Sequence, residues 1–463
     1  MVLNIVVAYF PTQYLTQIVC VSIAVLFLRT VSQGRRTNRE RDLHARVVIV
    51  TGGFTPTGLT LLQSLAERGA HVIALTPKLQ SPRVSVLVDL LRSTASNEHI
   101  FAEECDLSSP KSIHAFCERF LKGEDKRIDA VIFAHEYQHV GPFSPLYTGS
   151  NEWTAKERDV KALATFLMTT LLLPVLLTAP FERDIRIINV VNRFYAAAAA
   201  SPALSLEFGS PTHSLFLAEG TRSLRTIIFT RHLQRVLDAL PTAPVPQTDT
   251  STSAVPVVSH KNQVSNIVAV SVSPGISRVD TISAMLNADW NTSTSSSWLG
   301  ILLYTLLLPL LHIFAKSPFS AMQDILHALF LPTPMKILSQ AGLQAPTEAT
   351  RKPEGSGAPI DASVLEMPEE VLKPGSLYAE CAIVKLNVKV SLAAAKDHVA
   401  DEKQGTKTDG KEDVKVEDDG ELGGEAAGRF VWELYELALK DWEKAEKDAE
   451  SSGEPAKSGI TET

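Results

Sequence analysis

The stretch that decides the fold runs from Val47 to Gly58 and reads VVIVTGGFTPTG. Its first four residues form a strand-like apolar run, and an amphipathic helical pattern follows from Leu59 to Arg68. Between the two, glycines would let the backbone turn closely against a pyrophosphate at the N-terminus of the helix. The stretch is therefore typical of the first βαβ unit of a nucleotide-binding fold.

One residue in this stretch weakens the prediction of phosphate binding. Pro56 stands where the usual glycine fingerprint has its central glycine. Proline has no N–H to donate to a phosphate, and its ring adds bulk to the turn. The stretch predicts a dinucleotide fold, and Pro56 casts doubt on the use of that fold.

Strands and helices alternate along the chain from Arg46 to about Leu240. Strands are predicted at 46–51, 71–76, 99–103, 129–134 and 185–191, and helices at 58–68, 109–122, 154–177 and 214–240. A further strand is predicted at 266–272, and a late one at 376–384. Alternation at this spacing predicts an α/β fold, a Rossmann-like, doubly wound parallel sheet with helices on both faces.

The N-terminal segment has the features of a membrane anchor. Residues 2–28 carry no charged side chain, and a helix of that length can cross a hydrocarbon core of about 30 Å. The flank that follows is basic, with Arg29, Arg35, Arg36, Arg39 and Arg41. The positive-inside rule places this flank and the downstream domain in the cytosol. We expect a single-pass protein of the endoplasmic reticulum or a lipid-droplet-related membrane; a cleaved signal peptide, the alternative, fits poorly because arginines follow the run.

A second apolar run extends over residues 298–315 and is marginal in length for a membrane span. Three interpretations stay open. The run could lie on a bilayer or cover an apolar substrate, it could be a buried core helix, or it could span a membrane. A span would put the predicted late strand at 376–384 on the wrong side of the membrane.

Composition divides the rest of the chain. Beyond about 393 the sequence is rich in charged residues and glycine, and helical periodicity returns at Arg429. We expect that last helix to pack back on the domain rather than to offer its apolar stripe to a partner. Four units are predicted: a membrane anchor and basic flank at 1–45, a Rossmann domain at 46–392, a disordered acidic linker at 393–428, and a C-terminal helix and tail at 429–463. Within the Rossmann domain we predict an insertion at 241–261 and an apolar substrate-covering or membrane-contacting segment at 298–330.

Charge and cysteine content argue against nucleic-acid binding and give no sign of a metal site or a disulfide framework. The formal net charge of the 463 residues is −8, and no basic-aromatic patch is present, which argues against nucleic-acid binding. The four cysteines are widely scattered, so their spacing suggests neither a metal site nor a disulfide framework.

Several motifs follow one another in a familiar order. They are Thr51-Gly52 to Gly58 at the phosphate turn, Cys105-Asp106-Leu107 after the third strand, the apolar helix Phe166 to Leu177, the strand Arg186 to Val190, the helix end Phe229 to Leu233, and Ser273-Pro274-Gly275. Together they resemble the short-chain dehydrogenase/reductase family, closest to its membrane-associated, retinol-dehydrogenase-like branch. The resemblance covers roughly Arg46–Leu240 and Asn266–Leu386.

The resemblance implies a catalytic set that this sequence does not contain. The family uses an asparagine, a serine, a tyrosine and a lysine, and the tyrosine needs the neighbouring cation to transfer protons near neutral pH. The aligned positions are Lys161, Asn192, Glu219 and Ser223. Between Phe194 and Leu240 the only tyrosine is Tyr195, and that range has no lysine.

Other residues could stand in for the missing groups, each with a simpler alternative. Glu219 with Arg222 or Arg225 could form an acid–cation pair on one helix, or the three could lie on a solvated helix face. His135 ends the fourth strand, where ligands bind in such folds, or it is a hydrogen-bonded structural histidine. Tyr195, for which we favour packing, and Asn192 complete the candidates.

The resemblance also implies a nicotinamide cofactor and a set of partners. The residues that would hold the cofactor are Thr51, Gly52, Gly58, Lys78, Asp106, Pro274 and Gly275. Lys78 could meet a 2′-phosphate, which favours NADP(H) over NAD, although Pro56 weakens the turn. The expected partners are the lipid bilayer, a hydrophobic small-molecule substrate and a second copy of the chain joined through long helices.

Two functional hypotheses follow. The first is a membrane-anchored protein of this type that is non-classical or catalytically degenerate, acting as a binding scaffold. The second is an active NADP(H)-dependent oxidoreductase on a lipid-like carbonyl or alcohol. The missing catalytic residues bear directly on chemistry, whereas the resemblance bears mainly on fold, so we favour the first.

Overall fold

A computed structural model describes residues 14–123, 127–138, 140–141, 151–180, 183–201, 206, 208, 214–240, 265–288, 297–334, 370–388 and 418–451. The strands are β1 Val47–Thr51, β2 His71–Thr76, β3 Ile100–Glu104, β4 Ala130–Phe133, β5 Ile185–Val190, β6 Ile267–Ser273, β7 Leu377–Ala379 and β8 Ala382–Val384. The helices are α1 Leu15–Ser32, α2 Pro56–Glu67, α3 Pro82–Ala95, α4 Pro110–Lys122, α5 His135–Gln138, α6 Asn151–Leu177, α7 Tyr195–Ala199, α8 Leu215–Ala239, α9 Ser283–Met285, α10 Trp298–Phe314, α11 Pro318–Phe330 and α12 Gly424–Ser451. A π-helical turn, Arg278–Ile282, precedes α9.

One sheet contains all eight described strands, in the order β3-β2-β1-β4-β5-β6-β7-β8. The first seven are parallel, and β8 pairs antiparallel with β7. Val48 pairs with Val72 on one side and with Ala130 on the other, so the strand order reverses direction next to β1. Ligands bind in such folds at the carboxyl ends of the strands beside this reversal. The predicted α/β architecture is confirmed, although the late strand is a hairpin of two short strands and α3 was not foreseen.

Apolar side chains fill both faces of the sheet. On one face α4, α6, α7, α8 and α12 enclose a core cluster, and on the other α2, α3 and α11 enclose a second. Neighbouring residues of β1 belong to different clusters: Ile49 to the first, Val48 and Val50 to the second. A strand covered on both faces must be apolar at every position, which is why the chain shows continuous apolar runs here rather than alternation.

The C-terminal helix packs back on the domain, as we expected from its sequence. Tyr435 of α12 is 2% exposed, and its ring stacks on Phe166 of α6 with centroids 5.4 Å apart. The end of the predicted disordered linker differs from expectation, because Asp419 pairs with Arg231 and Arg235 of α8. Two arginines on one helix face hold this acidic residue. Residues 393–417 lie outside the described residues, as does the predicted insertion at 241–261.

The predicted apolar segment at 298–330 consists of two unlike helices. From Ser320 to Phe330 α11 is buried against α2 and the sheet, so α10 presents most of the apolar surface of this segment. Four residues spaced by one turn form its outer stripe and are 50–74% exposed: Leu302, Leu306, Leu310 and Phe314. The alternative of a buried core helix for residues 298–315 is therefore wrong.

The anchor prediction receives a partial answer. By length and composition one described helix could cross a membrane, Arg158–Leu177 within α6, and 56% of its apolar window is buried in the core. α1 and α10 are apolar but shorter, and the predicted span begins outside the described residues. The ends of α1 and α10 are joined: Gln33 Nε2 donates a hydrogen bond to the Ala315 carbonyl at 2.9 Å.

Candidate functional site

The turn between β1 and α2 has the backbone geometry of a phosphate-binding turn. Gly52 has a φ of +66°, which glycine adopts without strain. A Cβ on Gly58 would overlap the carbonyl oxygen of Gly52 and lie 2.7 Å from that of Gly53, so the helix packs this closely only with glycine. Thr55 caps α2 by accepting a hydrogen bond from Gly58 N at 2.9 Å, and Pro56 takes the first helical position. Pro56 starts the helix well but leaves one N–H fewer at its free end.

An internal carboxylate, Asp280, occupies that free end of α2. It accepts hydrogen bonds from the Thr57 hydroxyl at 2.5 Å and the Thr57 backbone N–H at 3.3 Å. The Ser277 hydroxyl donates a third at 2.9 Å, and the Asp280 side chain is buried. The free N–H groups and partial positive charge of a helix N-terminus stabilise a carboxylate as they would a phosphate. Asp280 therefore uses the anion-binding position of the turn.

The crevice beside the turn is nearly closed. A cavity of about 10 Å³ remains there, lined by residues of the turn together with Tyr137 and Ile325 among others. The buried Tyr137 side chain donates its hydroxyl hydrogen bond to the Gly275 carbonyl at 3.1 Å. Burial also raises the pKa of Tyr137, which keeps the hydroxyl protonated as a donor. A space of this size holds at most about one water molecule.

NADP(H), the cofactor that the resemblance implies, does not fit this arrangement. Its pyrophosphate would have to share the end of α2 with the buried Asp280 carboxylate, and two like charges in one desolvated site repel each other strongly. Its remaining half would need the crevice that Tyr137 fills, because small-molecule sites have volumes of several hundred Å³. Thr51, Gly52 and Gly58 keep the fold of the turn without room for the ligand.

The position aligned with the catalytic tyrosine holds Glu219 in a buried ion cluster. Glu219 is 1% exposed, and its two oxygens pair with Arg158 at 2.9 Å and with Arg222 at 2.5 Å. Arg225 pairs instead with Asp159 at 3.2 Å. The predicted pair of Glu219 and Arg222 is confirmed, and the alternative of a solvated helix face is wrong. Both carboxylate oxygens are bound to arginines, so neither is free to contact a ligand.

His135 is a structural histidine, as its simpler alternative predicted. Its Nε2 lies 2.9 Å from the Lys161 carbonyl, which can only accept, so Nε2 carries the proton. Its Nδ1 then accepts from the Thr51 hydroxyl at 2.8 Å. Burial lowers the pKa of His135 to about 4, and the ring is neutral at physiological pH. Lys161, at the asparagine position, contacts this histidine through its backbone.

The serine-equivalent residue also supports the fold. Asn192 is buried and donates a hydrogen bond from Nδ2 to the Glu136 backbone carbonyl at 3.3 Å. The Glu136 carboxylate accepts hydrogen bonds from Thr165 at 2.7 Å and Thr226 at 2.9 Å. Burial raises the pKa of Glu136, against the effect of these two hydroxyls. Ser223, at the lysine position, is buried and brings no positive charge.

The remaining predicted residues do not converge on the crevice. Lys78 is exposed on the loop after β2, and within the described residues its side chain has no polar partner. Asp106 accepts a hydrogen bond from the Ser108 N–H at 2.9 Å and so stabilises its own turn. Tyr195 is buried in α7, and burial raises its pKa, which agrees with packing.

Two groups of polar residues were missed by the sequence analysis. Asp280 and Tyr137 are the first group, and nothing local in the sequence marks them. The second is the buried Lys316, which pairs with Asp324 at 3.1 Å and Glu380 at 3.3 Å beside Gly275. Lys316 and Asp324 are the only Lys, Arg, Asp or Glu residues of the 298–330 segment, a signal that could have predicted their pairing. Among the described residues no group of three or more His, Cys, Asp or Glu is placed to hold a metal ion.

Comparison with known proteins supports the resemblance. Residues 46–152 match the family model described as the KR domain. An uncharacterized oxidoreductase of Schizosaccharomyces pombe is 29% identical over 40% of this chain and 48% of its own length. One of Saccharomyces cerevisiae is 27% identical over 65% of this chain and 71% of its own length. Mouse retinol dehydrogenase 12 is 27% identical over 42% of this chain and 58% of its own length.

The chain thus spans about half the length of the first of these relatives and somewhat more of the others. Among solved structures, a short chain dehydrogenase from Shigella flexneri is 14% identical, covers 76% of this chain and 98% of its own, and has a TM-score of 0.44. A second Shigella structure, complexed with NADP, is also 14% identical over 62% of this chain and 93% of its own, with a TM-score of 0.40. At such scores the overlap says nothing about function. The sequence matches show that the chain resembles the short-chain dehydrogenase/reductase family and its retinol dehydrogenases.

Proposed function

We propose that this chain is a catalytically degenerate, membrane-anchored protein of the short-chain dehydrogenase/reductase type. It has kept the Rossmann-like sheet and lost cofactor binding and hydride transfer, and it serves as a scaffold on the cytosolic face of a membrane. The observation that carries the proposal is the Asp280 carboxylate, hydrogen-bonded at the N-terminus of α2 where a dinucleotide would place its pyrophosphate.

The catalytic positions support the same conclusion. Hydride transfer needs a matched proton transfer, which in this family a tyrosine performs beside a lysine. Here Glu219 has both oxygens on arginines, and Ser223 carries no charge. The neutral His135 has both ring nitrogens in hydrogen bonds to the protein. None of these side chains has a free proton-transfer atom beside an open crevice.

Exposed apolar surface supports placement at a membrane. The outward residues of α1 include Val21, Leu26 and Phe27, each more than 60% exposed, and the outer stripe of α10 adds to this surface. Scattered apolar residues are normal on soluble proteins, whereas two adjoining apolar helices form a patch that needs an apolar partner. With the arginines that follow α1, this supports a single-pass anchor with the domain in the cytosol, at the endoplasmic reticulum or a lipid-droplet-related membrane.

The C-terminal helix bears on self-association. α12 packs on α6 and α8, the long helices through which we expected a second copy to bind. Trp432 of α12 lies over Phe229 of α8 with ring centroids 5.8 Å apart. We therefore propose that the chain does not dimerise through α6 and α8, because its own helix covers them.

A second candidate function is an active NADP(H)-dependent oxidoreductase acting on a lipid-like carbonyl or alcohol. The names of the relatives, oxidoreductases and retinol dehydrogenases, favour it. It requires the segment from Ser277 to Ile282 to leave the end of α2, which would break the hydrogen bonds of Asp280. It also requires Tyr137 to leave the crevice and a proton donor that none of the aligned positions supplies.

Cofactor titration separates the two functions. NADPH and NADH would be titrated calorimetrically into the full chain in nanodiscs, with thermal unfolding recorded in parallel. We expect no saturable heat and no rise in Tm at millimolar cofactor. A Kd in the micromolar range or tighter would overturn the loss of cofactor binding and direct attention to lipid carbonyls as substrates.

A matched variant identifies the cause of the expected result. Tyr137→Ala combined with Asp280→Asn removes the bulk from the crevice and the charge from the end of α2. Weak NADPH binding by this variant, absent from the wild-type chain, would attribute the loss to these two side chains. No binding by either protein would instead point to Pro56, which removes an N–H from the turn.

A further inference from the structure

A groove unrelated to the crevice beside β1 lies on another part of the described structure. It has a volume of about 850 Å³ and lies between α1, the loop that follows it, the π-helical turn and the start of α11. Its lining includes three apolar residues of α1 and three arginines: Ile23, Leu26, Phe27, Arg29, Arg36 and Arg278. We call it the α1 groove.

The α1 groove has an apolar end and a basic end. The apolar lining residues precede Arg29 in α1, and the polar ones follow it toward the domain. At 1.5 Å per residue, Ile23 and Arg29 are about 9 Å apart along the helix axis. This change from apolar to cationic along one wall matches the change from acyl chain to headgroup at a bilayer surface.

The basic end carries positive charge that no described carboxylate neutralises. The Arg36 guanidinium lies over the Phe319 ring, 5.4 Å from its centroid. Arg278 contacts His312 Nδ1 at 2.6 Å, and within the part of the chain that the structure describes Arg29 has no ion-pair partner. Elsewhere in the domain, arginines such as Arg186 pair with carboxylates. Three arginines without such partners around one groove indicate an anionic ligand.

An acidic side chain close to the groove, that of Glu380, does not cancel this charge. Glu380 approaches Gly34, but its carboxylate is engaged by Lys316 at 3.3 Å and by Arg193 at 3.2 Å. The wall opposite α1 is also held in place, because the Gln33 side-chain oxygen accepts hydrogen bonds from Ser317 N at 3.0 Å and Ser320 Oγ at 2.9 Å. The groove is thus a built feature with excess positive charge.

We propose that the α1 groove binds one anionic glycerophospholipid, with its phosphate among Arg29, Arg36 and Arg278 and an acyl chain along Ile23, Leu26 and Phe27. Guanidinium groups pair with phosphate oxygens in a bidentate manner, and the apolar wall provides the contact that a free phosphate could not use. A volume of about 850 Å³ lies within the range of small-molecule sites. The inference rests on the proposed membrane placement but does not depend on whether a dinucleotide binds.

The test is lipid retention by the full chain. The protein would be reconstituted in nanodiscs of phosphatidylcholine with an equal share of phosphatidylserine, released, and its bound lipid counted by native mass spectrometry. We expect one retained phosphatidylserine in preference to phosphatidylcholine. Arg29→Gln, Arg36→Gln and Arg278→Gln together should lower the serine-to-choline ratio by about tenfold or more, since each basic residue near a bilayer surface attracts anionic lipid.

A charge-matched control separates the groove from general surface charge. Arg83→Gln, Lys122→Gln and Lys440→Gln remove the same charge from exposed positions outside the groove and should leave the ratio unchanged. An equal loss in both variants, or no preference in the wild-type chain, would overturn the groove while leaving the membrane anchor intact. A wild-type chain that enters no nanodisc would overturn both the anchor and the groove.

Discussion

Removal of the Asp280 side chain tests most directly whether this carboxylate stabilises the N-terminus of α2. If Asp280 is a permanent internal anion at that helix end, Asp280→Ala deletes three acceptor contacts at once. Two are short, from the hydroxyls of Thr57 at 2.5 Å and Ser277 at 2.9 Å, and the third comes from a backbone N–H at 3.3 Å. The donors left behind are buried, so water cannot readily replace the carboxylate.

The magnitude follows from these contacts. A hydrogen bond to a charged group contributes about 1.5–3 kcal/mol, and an anion at a helix N-terminus adds about 0.3–1 kcal/mol. Counting only the two short bonds, Asp280→Ala should lower the free energy of unfolding by about 3–6 kcal/mol. Asp280→Asn keeps one acceptor oxygen and loses the charge, so it should cost about 1–2 kcal/mol.

Thermal unfolding of the full chain in detergent micelles measures both variants. At about 2 °C per kcal/mol for a domain of this size, Asp280→Ala should lower Tm by roughly 6–12 °C and Asp280→Asn by roughly 2–4 °C. A double-mutant cycle of Asp280→Ala with Thr57→Val should give a coupling free energy of about 1–3 kcal/mol, because the Asp280 and Thr57 side chains are in contact. A change of Tm within about 2 °C for Asp280→Ala, with no coupling to Thr57, would refute the view that this carboxylate caps α2.

Three further predictions concern packing, pH and the membrane. Gly58→Ala should cost about 1–3 kcal/mol because its methyl group would overlap backbone oxygens, whereas Gly123→Ala, whose methyl group would lie 3.3 Å from the Phe120 carbonyl oxygen, should lower Tm much less. The pKa of His135 is lowered from 6.5 to about 4, so only the unfolded chain binds a proton between these values. Stability should therefore fall by about 3 kcal/mol as pH drops through that window, and His135→Gln, but not the exposed His44→Gln, should flatten the profile. Leu306→Glu, in the outer stripe of α10, should weaken flotation with vesicles without changing Tm, and the same change at an exposed leucine of α12 should leave flotation unchanged.

Local sequence patterns were sufficient for most of the fold. The strand boundaries agree within about one or two residues because apolar runs, turns and helical periodicity are all properties of neighbouring residues. The helix α3 was not predicted from the sequence. Only three of its side chains are buried, so its apolar face is narrow and its helical periodicity is weak. The prediction of disorder was wrong for the end of the acidic linker, because Asp419 pairs with Arg231 and Arg235, which lie far away in the sequence.

The candidate site was less predictable because its contacts are long-range. Spacing along one helix was enough to pair Glu219 with Arg222, three residues apart. The same spacing could not show that Arg158 of another helix buries the pair. Asp280 is 223 residues from its partner Thr57, and no pattern in either segment marks the contact. What the sequence did indicate was the direction of the proposed function, since Pro56 and the missing catalytic residues all favour lost chemistry.

If cofactor binding is lost, as we propose, the contact between Asp280 and α2 accounts for the stability of the fold without a cofactor. A protein that binds a dinucleotide gains stability from it by mass action, and its helix N-terminus relies on a phosphate that arrives from solution. Here the anion is covalently part of the chain, so the helix end is neutralised at every cofactor concentration. Tyr137 fills the neighbouring crevice in the same permanent way. Under this proposal, catalytic residues could be lost without unfolding the sheet. The apolar helices α1 and α10 would then carry the proposed function, which is contact with a membrane.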